Sequence, residues 1–179
     1  MYNDIFNEND MIKLQELLRA NKQTITSAES CTGGLVASMI TKIAGSSDIF
    51  NGSIVTYSNK IKNQELQVKN ETLEKFGAVS CEVVNEMLEG VISKFDADYA
   101  IAISGIAGPG GATKNKPVGT VVIGISDSKR HKKVHIYTFK GNREEVQEQA
   151  AKHSLKEILK FLQNTLDNTK KSYYNSSPI

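Results

Sequence analysis

Residues 99–111 read YAIAISGIAGPGG, and they decide the fold. The first six (Tyr99 to Ser104) form an unbroken apolar run closed by Gly105, the pattern of a central strand covered on both faces. Downstream, the strand-like runs Val118 to Ser126 and Lys133 to Phe139 flank a polar stretch, Asp127 to His131, and so predict an antiparallel hairpin. Upstream, residues 81–95 place Val83, Val84, Met87, Leu88, Val91 and Ile92 on one helical stripe, and residues 71–77 add a shorter helix. Ile49 to Tyr57 reads as a strand, as does Gln23 to Ser27, which feeds a turn at Glu29 to Gly34 and a helix from Leu35 to Ile43. Residues 10–20 make an amphipathic first helix with Asp10 as its N-cap, and Arg143 to Leu166 a long closing helix. Helices alternating with strands predict an α/β fold: a layered α/β/α sandwich with a mostly parallel, mixed sheet and a C-terminal antiparallel hairpin. Residues 1–166 are expected to form one domain. Residues 167–179 lose periodicity and read as a disordered tail.

Composition narrows the function classes. The 179 residues carry 22 Lys+Arg against 20 Asp+Glu, a net charge of +2, which gives no electrostatic footprint for nucleic acid. No apolar run approaches the roughly 20 residues of a membrane span, and the acidic, Asn-rich start is unlike a signal peptide. Two cysteines, Cys31 and Cys81, fit no metal-ligand spacing. A cytoplasmic protein with no metal or cofactor is the expectation.

Two strand exits are rich in glycine and small hydroxyl residues: SAESCTGG (27–34) and SGIAGPGG (104–111). Ligands of open α/β sheets sit beyond the carboxyl ends of strands, where glycine lets backbone N–H groups approach them. A helix starting after Gly33 and Gly34 would also aim free N–H groups at an anion or a developing oxyanion. Thr32, Gly33, Gly34, Ser104, Gly105, Gly110 and Gly111 are therefore candidate substrate-binding residues. Neither loop matches a Walker A or dinucleotide fingerprint.

Ser30, Cys31 and Thr32 are the candidate nucleophiles. The histidines (His131, His135, His153) have no acidic partner at a suggestive spacing, which leaves a Ser–His–Asp triad without support. A base can come instead from Tyr57-Ser58-Asn59-Lys60, where Tyr57 and Lys60 share a face of a helical turn; the competing reading makes Lys60 a solvated cap. Cys31 competes with Ser30, because a thiolate at a helix start would have a depressed pKa. Arg143, one of three arginines, follows the last strand at a helix start.

The strings AESCTGG (28–34), FNGSIVTYSNK (50–60), GAVS (77–80), SGIAGPGG (104–111) and KPVGTV (116–121) occur in order. Together they closely resemble the CinA C-terminal-domain family, over about residues 10–165. The resemblance implies an amidohydrolase that converts nicotinamide mononucleotide and water to nicotinate mononucleotide and ammonia. It implies Ser30 as nucleophile, assisted by Tyr57 and Lys60. It also implies a small-molecule pyridine nucleotide as partner, whose 5′-phosphate is expected to meet Arg143, across a subunit boundary in a homo-oligomer, unless Arg143 pairs with Glu144 or Glu145; charge and hydropathy give no expectation of a nucleic-acid or membrane partner. Longer members carry an N-terminal domain; with about ten residues ahead of the first helix, that domain and its pyrophosphatase activity are expected to be missing here. The alternative is a catalytically silent nucleotide-binding or regulatory member of the same family.

Overall fold

The computed structural model describes residues 4–175, with side chains described to residue 166. In chain order the elements are α1 (Glu8–Ala20), β1 (Ile25–Glu29), α2 (Leu35–Thr41), β2 (Phe50–Val55), α3 (Asn59–Leu66), α4 (Asn70–Phe76), α5 (Cys81–Phe95), β3 (Tyr99–Gly105), β4 (Thr120–Asp127), β5 (Lys132–Thr138) and α6 (Arg143–Asn175). The sheet order is β2-β1-β3-β4-β5. β1 pairs in parallel with β2 and β3, while β4 is antiparallel to both β3 and β5. The sheet is thus mixed, parallel in one half and antiparallel in the other.

Side-chain alternation on the strands divides the interior into two cores. On one face Ile25, Ile101, Ile103, Ile123 and Ile125 pack with Leu14 and Leu18 of α1, Val36 and Ile40 of α2, and Leu155, Ile158 and Leu162 of α6. On the other, the smaller Ala28, Ala100, Ala102 and Val122 meet Val83, Val84, Met87, Leu88 and Val91 of α5. Small residues let α5 lie close to the sheet: a Cβ on Gly124 would stand 2.6 Å from Val84 Cγ1. The result is the layered α/β/α sandwich.

The boundaries differ from the sequence reading where tertiary contacts extend an element. β1 runs on through Ala28 and Glu29, because both residues are paired on either side, with Ile54 and Val55 of β2 and with Ala102 and Ile103 of β3. The cap of α1 is Asn7, in a capping box with Asp10 at the third helical position. Helix α6 continues to Asn175, and residues 176–179 of the expected tail lie outside the described residues.

Helix α3 is the element that carries the site. Ser58 is its N-cap, accepting from the Ile61 N–H, and Gln67 closes it in a left-handed conformation. It packs on α5 at Gly90, where an added Cβ would stand 2.1 Å from the Leu66 carbonyl oxygen. Gly90 thus sets the depth of α3. Gly90→Ala is expected to push the two helices apart and to destabilise by about 1–3 kcal/mol, as overpacking does. Denaturant unfolding checks it, and a wild-type midpoint would contradict the close-packing account.

Candidate active site

The connection leaving β1 runs to α2 in one core, and that leaving β2 runs to α3 in the other. Such a divergence opens a crevice beyond the carboxyl ends of parallel strands. A cleft of about 230 Å³ lies there, lined by Ser30, Cys31, Tyr57, Asn59, Lys62, the Ser104–Gly108 exit of β3, Gly110, Gly111 and Arg143. A larger cleft of about 570 Å³, among Phe6, Met11, Met39, Ile43 and Lys152, holds no hydroxyl or thiol nucleophile beside a base.

Ser30 is the first residue past β1. Its N–H donates to the Ile103 carbonyl at 3.0 Å, which ties the turn to β3. Its Oγ stands 3.0 Å from Nζ of Lys62, whose other partner is the Thr56 carbonyl at 2.7 Å. Lys62 is only 1% exposed. Burial pushes its pKa down from 10.5 to about 8, with the nearby Cys31 acting weakly the other way. A charged amine loses its hydration there, so the neutral form, which is a base, becomes accessible near physiological pH.

The lysine beside Ser30 is Lys62, two positions after the Lys60 that the sequence suggested. Lys60 is exposed in the first turn of α3, whereas Lys62 is buried. Residues two apart on an α-helix point about 200° away from each other, so only one of the pair can face the sheet. The expected Tyr57–Lys60 turn does not form because Ser58 caps the helix and leaves Tyr57 outside it. Spacing held a usable signal: Lys62 lies four residues before the buried Leu66 and shares its stripe. Tyr57 is in the cleft but 59% exposed, and its hydroxyl accepts from Arg143 Nη2 at 2.6 Å. It has no hydrogen bond to Ser30 or Lys62.

Contrary to what the sequence suggested, the N–H groups at the start of α2 are not open to a ligand, because the chain supplies its own anion. Glu29, fully buried, accepts from the N–H groups of Gly34, Val36 and Ala37 and from the Thr32 hydroxyl. Thr32, Gly33 and Gly34 line a separate cleft between α2 and α6. In the other loop, Ser104, Gly105, Gly110 and Gly111 do line the cleft with Ser30. Ser104 spends its hydroxyl on the Ala78 carbonyl. The N–H groups of Ala107, Gly108, Gly110 and Gly111 have no acceptor among the described residues.

Cys31 is buried and packs in the core on the α1/α2/α6 face. Burial drives its thiol up to about 12, the reverse of the lowered value expected at a helix start. Arg143 pairs with neither Glu144 nor Glu145: besides Tyr57, it donates through Nη1 to the Gly108 carbonyl at 2.8 Å. His131 bonds to Asp127, and His153 stacks on Phe139 and Tyr137.

The CinA C-terminal domain profile matches residues 8–162. The chain belongs to the CinA C-terminal domain family. The nicotinamide-nucleotide amidohydrolase PncC of Escherichia coli K12 is 45% identical over 163 residues, covering 88% of this chain and 99% of that protein. A CinA-like protein of Endomicrobium trichonymphae is 50% identical over 139 residues, 78% of this chain and 32% of the relative. The chain thus spans about a third of the length of the CinA-like relatives it matches. Among solved structures, a CinA superfamily protein of Klebsiella pneumoniae superposes with a TM-score of 0.83 at 33% identity, covering 87% of this chain and 97% of that one. The competence/damage-inducible protein CihA of Agrobacterium tumefaciens gives 0.79 at 35% identity, covering 86% and 96%. In the described part of this CinA domain no helix is long and apolar enough to cross a membrane.

The buried amine makes stability depend on pH with a definite sign. Between pH 8 and 10.5 the unfolded chain holds a proton on Lys62 that the folded CinA domain has released, so stability rises with pH across that window. Relative to Lys62→Met, wild type is expected to gain on the order of 3 kcal/mol from pH 8 to pH 10.5. Chemical denaturation of both proteins checks it; parallel pH curves would mean that Lys62 titrates normally.

Proposed function

We propose that this CinA domain is an amidohydrolase that converts nicotinamide mononucleotide and water to nicotinate mononucleotide and ammonia. The observation that carries the reading is Lys62 Nζ within 3.0 Å of Ser30 Oγ, both at the cleft floor. The name of the Escherichia coli relative supplies the substrate class.

Neutral Lys62 takes the Ser30 proton as Oγ bonds to the carboxamide carbon. The tetrahedral oxyanion is met by N–H groups of the 107–111 loop, a contribution of about 3–4 kcal/mol per donor in comparable sites. As the carbon–nitrogen bond breaks, Lys62 returns the proton to the amide nitrogen, which leaves as ammonia. Water then attacks the acyl-Ser30 ester, giving a proton to Lys62. Collapse of this second intermediate restores the Ser30 hydroxyl and frees the acid, which ionises to nicotinate. The positive charge of the pyridinium ring makes the carboxamide a better electrophile, which suits an alcohol nucleophile.

Arg143 is the phosphate partner in this reading. It is exposed at the cleft mouth, and two of its five N–H donors are already used on Gly108 and Tyr57. Tyr57 then orients Arg143 rather than relaying a proton.

Ammonia release from nicotinamide mononucleotide tests the chemistry. Ser30→Ala and Lys62→Ala should each lose at least about a hundredfold in kcat, with Lys60→Ala and Cys31→Ala close to wild type. The wild-type rate should rise with pH and level off above about 8, where Lys62 is neutral. Loss of activity only in Cys31→Ala would make this a thiol enzyme, and wild type that binds the nucleotide without turnover would make it a silent member. Arg143→Ala should raise KM for the mononucleotide by roughly tenfold or more, and much less for the phosphate-free riboside. Equal losses on both substrates would remove Arg143 from phosphate recognition.

A further inference from the structure

Glu29 is a carboxylate with no exposed surface, one residue before the nucleophile. Its Oε2 accepts from Thr32 Oγ1 at 2.7 Å, the Gly34 N–H at 3.0 Å and the Val36 N–H at 3.1 Å; its Oε1 accepts from the Ala37 N–H at 2.9 Å and Ser27 Oγ at 3.4 Å. A buried anion persists only when such donors replace its water. Here the donors come from both sides of the turn that carries Ser30 and Cys31. Gly33 and Gly34, with φ of +63° and +101°, supply the left-handed backbone that folds this turn back over the carboxylate. From outside, Gln147 of α6 donates to the Cys31 carbonyl at 2.6 Å. The turn is therefore held at its inner edge by Glu29 and at its outer edge by Gln147.

We propose that Glu29 is the positioning residue that keeps Ser30 facing Lys62 and the Cys31 thiol buried at the cleft wall, so that it selects which of two adjacent nucleophiles meets the Lys62 amine. The inference rests on the reading of Ser30 and Lys62 given above. Glu29 touches neither substrate nor reacting atoms. It acts by fixing the turn, where a misplacement of an ångström is enough to slow a nucleophile. It also takes up the Val36 and Ala37 N–H groups of α2, which are then not free to stabilise a thiolate as a helix start does.

The test uses Glu29→Gln and Thr32→Val in the intact chain, both also in a Cys81→Ser background so that Cys31 is the only thiol. Two readouts are taken: kcat and KM for ammonia release from nicotinamide mononucleotide, and the rate of Cys31 alkylation by iodoacetamide. Glu29→Gln should lower kcat about tenfold or more with KM within about threefold, and speed alkylation of Cys31 about tenfold. Thr32→Val, which removes one donor and unburies no charge, should shift both readouts in the same direction by less. It carries the test if Glu29→Gln does not fold. Turnover that falls while Cys31 stays inert overturns the clamp, as does a thiol that is exposed without loss of kcat, and so does no change in either. If wild type releases no ammonia, the amidase reading fails by itself, and the alkylation rates still decide whether Glu29 holds the turn.

Discussion

An amine that has lost its water must be neutralised or find acceptors, and the cleft is organised around that constraint at Lys62. The Thr56 carbonyl and the Ser30 hydroxyl meet its Nζ, and burial brings its pKa to about 8. Each partner arrives from a different element: Ser30 from the end of β1, Thr56 from just past β2, and Lys62 from α3. The parallel pairing of β1 with β2 puts the first two side by side, and the Thr56 N–H continues that pairing to the Glu29 carbonyl. The contact of α3 with α5 at Gly90 sets the third. Parallel strands, cap and helix contact thus converge on one amine.

Glu29 and Lys62 divide the electrostatics of the site. Both are almost fully buried, yet each is satisfied by its own partners, the carboxylate by amides and hydroxyls and the amine by a carbonyl and Ser30. The Thr32 hydroxyl and the N–H groups of Gly33, Gly34, Val36 and Ala37 are already committed within the chain, whereas the N–H groups of Ala107, Gly108, Gly110 and Gly111 have no acceptor among the described residues.

Much of the architecture was legible in the sequence, because it is written in apolar periodicity. The run at 99–104 became the central β3, the stripe at 81–95 became α5, and the polar break at 127–131 became the β4–β5 hairpin. Ser30, Arg143 and glycines after β3, singled out in the sequence, line one cleft. Two features were not legible for physical reasons. Helix phase depends on where the cap sits, and with Ser58 read as part of a turn the buried lysine was placed at Lys60. A glutamate at a strand end reads as exposed, and only tertiary folding shows that the N–H groups after Gly33 close over it. The capping serine and the i, i+4 pair of Lys62 with Leu66 were the overlooked signals.

The most direct measurement is rapid-quench mass spectrometry of the protein during turnover of nicotinamide mononucleotide, followed by peptide mapping. A transient acyl adduct is expected on the peptide containing Ser30 and Cys31, localised to the Ser30 oxygen, absent in Ser30→Ala and retained in Cys31→Ala. An adduct on the Cys31 sulfur, or turnover with no covalent intermediate, would contradict the Ser30 mechanism.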